Sequence, residues 1–230
     1  MTPELEARIL ADSRDRVGWL RARARGITAT DVANLTSSTS IIRAADQKLM
    51  GSRFSGNSYT EHGRRREPEI AAWVAATHGI QPSSALFHAV VEKRHLATPD
   101  GVGVDGQGRV SLAEIKTTNK AFRSIPRTYL RQIWWQQHVT GAERTLFVWE
   151  EHRDFQPVHD EPKCLWVDRD DRQIDQLVRL ATGLIDELYH RTTGKARPEP
   201  AAAPEPEPVP VSNRARLRER DIFRALALSD

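Results

Sequence analysis

Leu96 to Lys116 reads L-A-T-P-D-G-V-G-V-D-G-Q-G-R-V-S-L-A-E-I-K. The residues up to Asp100 pattern as a strand, the glycines after it as a turn region, and Arg109 to Thr117 as a second strand. Asp-Gly, the strongest short hairpin signal, occurs at Asp100-Gly101 and again at Asp105-Gly106. Side chains alternate across a strand, so Val110, Leu112, Glu114 and Lys116 share one face, and Ser111, Ala113, Ile115 and Thr117 the other. The first face begins apolar and ends in two opposite charges beside Asp100. Stability alone would favour Val or Ile at those positions, so the broken pattern marks a candidate site. Two carboxylates from adjacent strand ends make a hard oxygen pair of the kind Mg²⁺ takes, completed by phosphate and water. A lysine two residues on, on the same face, reaches that water or phosphate. The same residues also read as ordinary turn chemistry followed by a solvated Glu–Lys pair worth under about 1 kcal/mol. The rest of the chain decides between the two.

With 230 residues, the chain can fill one good core and carry an appendage. No apolar run approaches a membrane span, and M-T-P-E-L-E-A-R lacks the features of a secretory leader, so an intracellular protein is expected. A single cysteine, Cys164, excludes an internal disulfide and a cysteine-based zinc site, and the eight histidines lack zinc-ligand spacing. The net charge of +3 is a weak pointer to nucleic acid. Its distribution says more. Arg14, Arg16, Arg21, Arg23 and Arg25 form one cluster, Arg64 to Arg66 a second, and Lys116, Lys120, Arg123, Arg127 and Arg131 a third. A phosphate-backbone channel would need such flanks, although arginine is also simply a good helix former.

Taken in order, residues 2 to 25 read as one helix, with Thr2 as cap, Pro3 at the first position and Gly26 as stop. Leu5, Ile9, Val17 and Leu20 are its expected apolar contacts. Ile27 to Leu35 reads as a turn into a short helix starting near Thr30 or Asp31. A helical patch, Ile41 to Met50, sits in a Ser/Thr/Gly-rich stretch over residues 36 to 58 that reads as a loop. A long helix comes next over Tyr59 to Thr77, and Pro68 should kink or restart it near Glu67. Residues 85 to 98 pattern as one strand leading into Pro99-Asp100. Pro126 opens a helix that Gly141 stops, with Tyr129, Gln132 and Gln136 on one face and Leu130 and Trp134 elsewhere. Strands are expected over 143–150 and 163–168, then a closing amphipathic helix from Asp170 to His190. The composition R-P-E-P-A-A-A-P-E-P-E-P-V-P-V-S cannot pack. The expected organisation is therefore a folded domain over 1–195, a Pro/Glu-rich linker over 196–212 and a short amphipathic segment over 213–230.

This order of elements is that of the αβββαβ core of the PD-(D/E)XK nuclease superfamily: an α/β fold of mixed α+β character, restriction-endonuclease-like, with a central mixed β-sheet flanked by helices. Within that superfamily the chain resembles the lambda exonuclease and YqaJ viral recombinase family. The matching pieces are W-L-R-A-R-A-R-G-I-T-A-T-D from Trp19, H-G-R-R-R-E-P from His62, A-T-P-D-G-V from Ala97, L-A-E-I-K from Leu112 and Y-L-R-Q from Tyr129. One such motif is degenerate; five in family order are specific. The resemblance implies that Asp100 and Glu114 bind metal, with the Ile115 carbonyl as a further ligand and Glu67 completing the site. It implies that Lys116 is the catalytic lysine and Gln132 the active-site glutamine; Tyr129 and Gln136, on the same helix face as Gln132, are the candidates to meet substrate or metal-bound water. Arg23 and Thr30 correspond to the pair that holds a 5′-phosphate, Thr standing where Ser is commoner. Trp134 replaces the family's second glutamine.

The activity implied by the resemblance is that of a DNA exonuclease using one or two Mg²⁺ or Mn²⁺ ions, digesting linear double-stranded DNA 5′→3′ to 5′-phosphorylated products. A single-strand annealing partner, a ring-like homo-trimer and the cytoplasm of a bacterium or phage-infected host are implied with it. An endonuclease on the same core and a catalytically silent DNA-binding subunit are the alternatives. An endonuclease has no use for a terminal-phosphate grip, and the full set of catalytic residues argues against a silent subunit.

Overall fold

A computed structural model describes residues 1–50 and 58–198 of the chain. The chain divides into two units, Met1–Ala196 and Arg197–Asp230, and the first contains every helix and strand of the fold described. The C-terminal segment, nearly all of the expected linker and residues 51–57 of the expected loop lie outside the described residues.

The chain does not open as one long helix. Thr2 caps a single turn, α1 (Pro3–Glu6), and the backbone then extends as edge strand β1 (Ile9–Asp12). Asp12 ends the strand by accepting the Arg14 N–H at 2.8 Å and the Ser84 hydroxyl at 2.9 Å. Asp15 then caps α2 (Arg16–Ala24) through the Gly18 N–H. Of the four expected apolar contacts only Leu5 is buried; Ile9, Val17 and Leu20 are exposed. Next, β2 (Ile27–Thr28) runs into α3 (Ala29–Ala33), which Thr28 caps in a reciprocal capping box with Asp31. Helix α4 (Ser38–Met50) comes after it, then α5 (Ser58–His78), which passes through Pro68 without a break.

After β3 (Gln81–Pro82), the stretch expected as one strand is two. β4 (Ala85–His88) and β5 (His95–Ala97) fold back on each other, Phe87 opposite Ala97 and His88 opposite Leu96. The turn between them is charged: Arg94 pairs with Glu92 at 2.7 Å, and the Glu92 carbonyl accepts the His95 N–H. β6 (Gly101–Val104) and β7 (Val110–Thr118) form the expected hairpin, but only the second Asp-Gly is its turn. Asp105 accepts the N–H groups of Gln107 and Arg109, and Gly108 takes a φ of 79° that other residues rarely adopt. Asp100-Gly101 instead begins β6. Helix α6 (Arg127–Thr140) stops at Gly141 with φ 82°, and the chain continues through β8 (Arg144–Arg153), β9 (Gln156–Pro157), β10 (Lys163–Asp168) and α7 (Asp171–Thr193), capped by Asp170.

The central sheet is mixed, in the order β10-β8-β7-β6-β3, with β7 and β8 parallel across the α6 crossover and its other pairs antiparallel. A second sheet, β1-β4-β5-β2, stands beside it. The alternation read from β7 holds. Leu112 packs with Trp135 and Val139 of α6 and Leu177 and Leu184 of α7, while Ala113 and Ile115 pack with Ile70 and Val74 of α5. Two helices therefore cover the face that continues to Glu114 and Lys116, and α5 covers the other. Among the described residues no helix is long and apolar enough to cross a membrane.

Candidate active site

Asp100 is held by its own backbone and side chain. Its N–H donates to the Ala113 carbonyl at 3.2 Å, and its carbonyl accepts the Ser83 N–H at 2.9 Å. Its carboxylate Oδ2 accepts the Ile115 N–H at 2.7 Å. The β6–β7 ladder runs from Val104–Val110 to Gly101–Ala113. Beyond it the Asp100 carboxylate stands in for a backbone acceptor, so the Ile115 N–H is satisfied without a further strand residue. That bond places the carboxylate beside the peptide joining Glu114 and Ile115.

Glu114 is 3 % exposed. A carboxylate this buried must be paired and hydrogen-bonded to remain ionised. Lys116 takes one of its oxygens, and Gln136 Nε2 donates to the other at 2.6 Å. The Lys116 ammonium lies 5.5 Å from the Tyr129 ring centre. Burial alone would lower the Lys116 pKa, but Glu114 and then Asp100 outweigh it and raise it above the ordinary lysine value. The polar stripe of α6 therefore faces the site. The member in contact with Glu114 is Gln136; Gln132 sits half-buried one turn earlier on the same face. Gln136 Oε1 is buried and has no hydrogen-bond partner among the described residues.

Glu67 comes from α5. Loss of hydration raises its pKa, Lys116 opposes the rise and Glu114 adds to it. The Asp100 carboxyl is raised well above its usual range, first by burial, then by Glu114, against Lys116, with Glu67 contributing. Glu114 thus pairs with Lys116, Asp100 lies within its field, and the exposed Glu67 of α5 is within electrostatic reach of the group. Among the described residues no three side chains are gathered into a ready metal-binding group. The donor set nevertheless suits a hard, oxygen-seeking divalent cation: Asp100, Glu114 and Glu67 supply charge that such an ion would offset, the Ile115 carbonyl a further oxygen, and Gln136 Oε1 an acceptor for a bound water.

Arg23 lies with its guanidinium 4.4 Å over the Trp19 ring. Burial lowers its pKa and Asp31 opposes that. Trp19 Nε1 donates to the Thr98 hydroxyl at 3.3 Å, two residues before Asp100, so this corner is tied to the strand that leads into the site. Thr30 is exposed in the first turn of α3; the cap is Thr28. Lys48 of α4, which carries no signal in the sequence, reaches the Asp31 carboxylate and the Gly26 carbonyl, each at 2.9 Å. Thr98 likewise belongs to no motif that would single it out.

Each of the three basic clusters has a member engaged by the protein itself. Arg14 is spent on Asp12, Arg66 on Glu150, and buried Arg131 on the carbonyls of Val32 and Leu35 at the end of α3. Arg16, Arg21, Arg25, Arg64, Arg65, Lys120, Arg123 and Arg127 stay exposed.

The model of the YqaJ-like viral recombinase domain matches residues 18–143, the span from α2 to just past α6. Among solved structures, an alkaline exonuclease from Laribacter hongkongensis superposes with a TM-score of 0.61 at 23 % identity, covering 75 % of this chain and 92 % of that one. The same enzyme in complex with dAMP matches at 24 % identity with the same TM-score and coverage. A phage-related exonuclease from Haemophilus somnus gives a TM-score of 0.58 at 12 % identity, covering 74 % and 95 %. No curated protein matches the chain. At these identities the structural likeness speaks for the fold alone.

Proposed function

The chain belongs to the YqaJ-like viral recombinase family, and from that premise we propose that it is a divalent-metal-dependent exonuclease that digests linear duplex DNA from 5′ ends. The observation that carries the reading is the meeting of Asp100, Glu114 and Lys116 where two strands converge, with Glu67 and Gln136 closing on them from α5 and α6.

Asp100, Glu114, Glu67 and the Ile115 carbonyl would hold Mg²⁺ or Mn²⁺, which when bound polarises the phosphodiester and acidifies a water. Lys116 donates from its ammonium to the attacking water or to a non-bridging phosphate oxygen, where negative charge develops. Gln136 holds the Glu114 carboxylate in one orientation and offers Oε1 to the water. Tyr129 walls the lysine in, and Gln132, one turn back, faces the incoming strand. The water oxygen bonds to phosphorus, the bond to the 3′-oxygen breaks, and that oxygen leaves with a proton, giving a 5′-phosphorylated nucleotide. In phage-type recombination the exposed strand would pass to a single-strand annealing protein, and a ring-like trimer would keep the enzyme on its track.

Purified protein is expected to degrade linear duplexes with Mg²⁺, to spare covalently closed circles, and to stop when EDTA removes the ion. Nicking of closed circles at a comparable rate would favour the endonuclease alternative.

Arg23 and Thr30 are the proposed grip on the terminal phosphate, next to Trp19 and Thr98 on the approach to Asp100. Duplexes with 5′-phosphorylated ends should be digested faster than those with 5′-hydroxyl ends. Arg23→Gln should cut that preference about tenfold or more, since a hydrogen bond to a charged group is worth about 1.5–3 kcal/mol. Equal initial rates of the wild type on both ends would remove the phosphate grip from the mechanism.

A further inference from the structure

Glu67 is delivered by α5, and its neighbour Arg66 makes a connection that the catalytic reading does not use. Arg66 Nε donates to Glu150 Oε1 at 2.9 Å and Nη2 donates to Oε2 at 2.7 Å, a two-pronged pair with the Glu150 side chain only 6 % exposed. Glu69 pairs with the remaining nitrogen. Glu150 lies on β8 in register with Thr117, the residue after Lys116. Two further contacts flank the pair. A Cβ on Gly63 would come within 3.3 Å of Thr117 Oγ1, so helix and strand are in near contact there. One residue earlier, the buried His62 ring lies edge-on to His152 at 4.5 Å and beside Phe155 at 5.2 Å.

Pro68 has no N–H to give, so the Arg64 carbonyl lacks its helical donor at this turn. The helix is therefore weakest in its own hydrogen bonds where Glu67 must be aimed. A buried ion pair is a poor source of stability, because desolvation offsets most of its attraction. A two-pronged guanidinium–carboxylate contact does fix relative orientation.

We propose that Arg66 and Glu150 are a positioning pair that sets the rotation of α5 on β8 and thereby aims the Glu67 carboxylate at Asp100 and Glu114. The inference rests on Glu67 being the third carboxylate of the site proposed above. Glu150 touches neither substrate nor ion; it acts through Arg66 and the helix.

The test is Mn²⁺ binding by the full-length protein without DNA, monitored by calorimetry or electron paramagnetic resonance, with melting temperature recorded for each variant. Glu150→Gln and Arg66→Lys should each weaken Mn²⁺ binding by about tenfold, the low end for loss of an outer-shell partner. The double variant Arg66→Met/Glu150→Leu should keep the wild-type melting temperature within a few degrees and still bind Mn²⁺ about tenfold more weakly, because apolar replacement of a buried pair is close to neutral for stability. In a Glu67→Gln background, Glu150→Gln should add no further weakening, the signature of two residues acting through one. Unchanged Mn²⁺ affinity in the folded variants, an undiminished further loss in the Glu67→Gln background, or a double variant that does not fold would each overturn the proposal. If the wild type binds no Mn²⁺ and hydrolyses no DNA, the proposed function fails with it. If the wild type does both and the variants bind as it does, only the positioning role fails.

Discussion

Asp100→Asn, Glu114→Gln and Lys116→Ala are each expected to reduce turnover on linear duplex DNA at least about a hundredfold, the scale on which loss of one preorganised transition-state group is felt. Asp100→Asn should do so while making the protein more stable. The amide oxygen keeps the bond from the Ile115 N–H, so the geometry of the strand end survives. What disappears is a charge that burial, Glu114 and Glu67 all disfavour. Because the folded pKa of Asp100 lies above its unfolded value, ionising it costs stability at every pH above that folded pKa. The cost fades as pH falls and vanishes below the unfolded value of about 3.9. Without added metal, the variant should therefore melt higher than the wild type at neutral pH, by about 2–4 °C for each kcal/mol in a domain of this size, and the two curves should converge in acid. An inactive variant with a lower neutral-pH melting temperature would refute the picture of charge crowding; an active one would refute the assignment of Asp100.

The second large effect concerns α6. Trp135 is fully buried, its Nε1 donates to the Leu96 carbonyl at 3.0 Å, and its ring lies 4.6 Å from that of His95 and 5.2 Å from that of His138. Trp135→Ala should cost about 3–5 kcal/mol from the cavity alone. Loss of the Nε1 bond to the Leu96 carbonyl, which keeps its place in the β2–β5 ladder, should add about 0.5–1.5 kcal/mol. Leu96 belongs to the strand that leads through Thr98 to Asp100, so loosening it disturbs the site as well as the core. Trp135→Phe fills most of the volume and forfeits only the Nε1 hydrogen bond, so its cost should be the smaller by more than half. Urea titrations of the three proteins give the comparison directly. A loss under about 1 kcal/mol for the alanine variant would mean the site collapses around the gap, which close packing between α6 and β5 forbids.

The site was legible where the signal is local. The placement of Glu114 and Lys116 on the Leu112 face comes from strand alternation alone, and the structure keeps that alternation. The helical carboxylate Glu67 and the glutamine stripe were legible as positions on helices. Which glutamine meets Glu114 depends on how far along β7 the helix docks, and periodicity does not carry that information. The start of the chain misleads for a related reason. L-E-A-R-I-L-A-D has every local mark of a helix, but β1 exists because β4 is there to pair with it, and Asp12 takes the Arg14 N–H that a continuing helix would need. Arg131 shows the opposite error: its charge suggests DNA, while its buried guanidinium closes the end of α3. Charge in a sequence does not reveal whether water or a carbonyl is its partner.

The parallel pairing of β7 with β8 has a bearing on time as well as shape. A hairpin can close as soon as its turn is made, but a parallel pair must wait for the whole crossover. Glu67, Asp100, Glu114 and Lys116 all precede α6 in the chain, yet the strand that carries two of them and anchors Asp100 gains its other neighbour only when Arg144–Arg153 has been made. During synthesis the residues proposed to carry catalysis therefore emerge well before the sheet that aligns them. A nuclease built in this order holds its chemistry in reserve until most of the domain has left the ribosome.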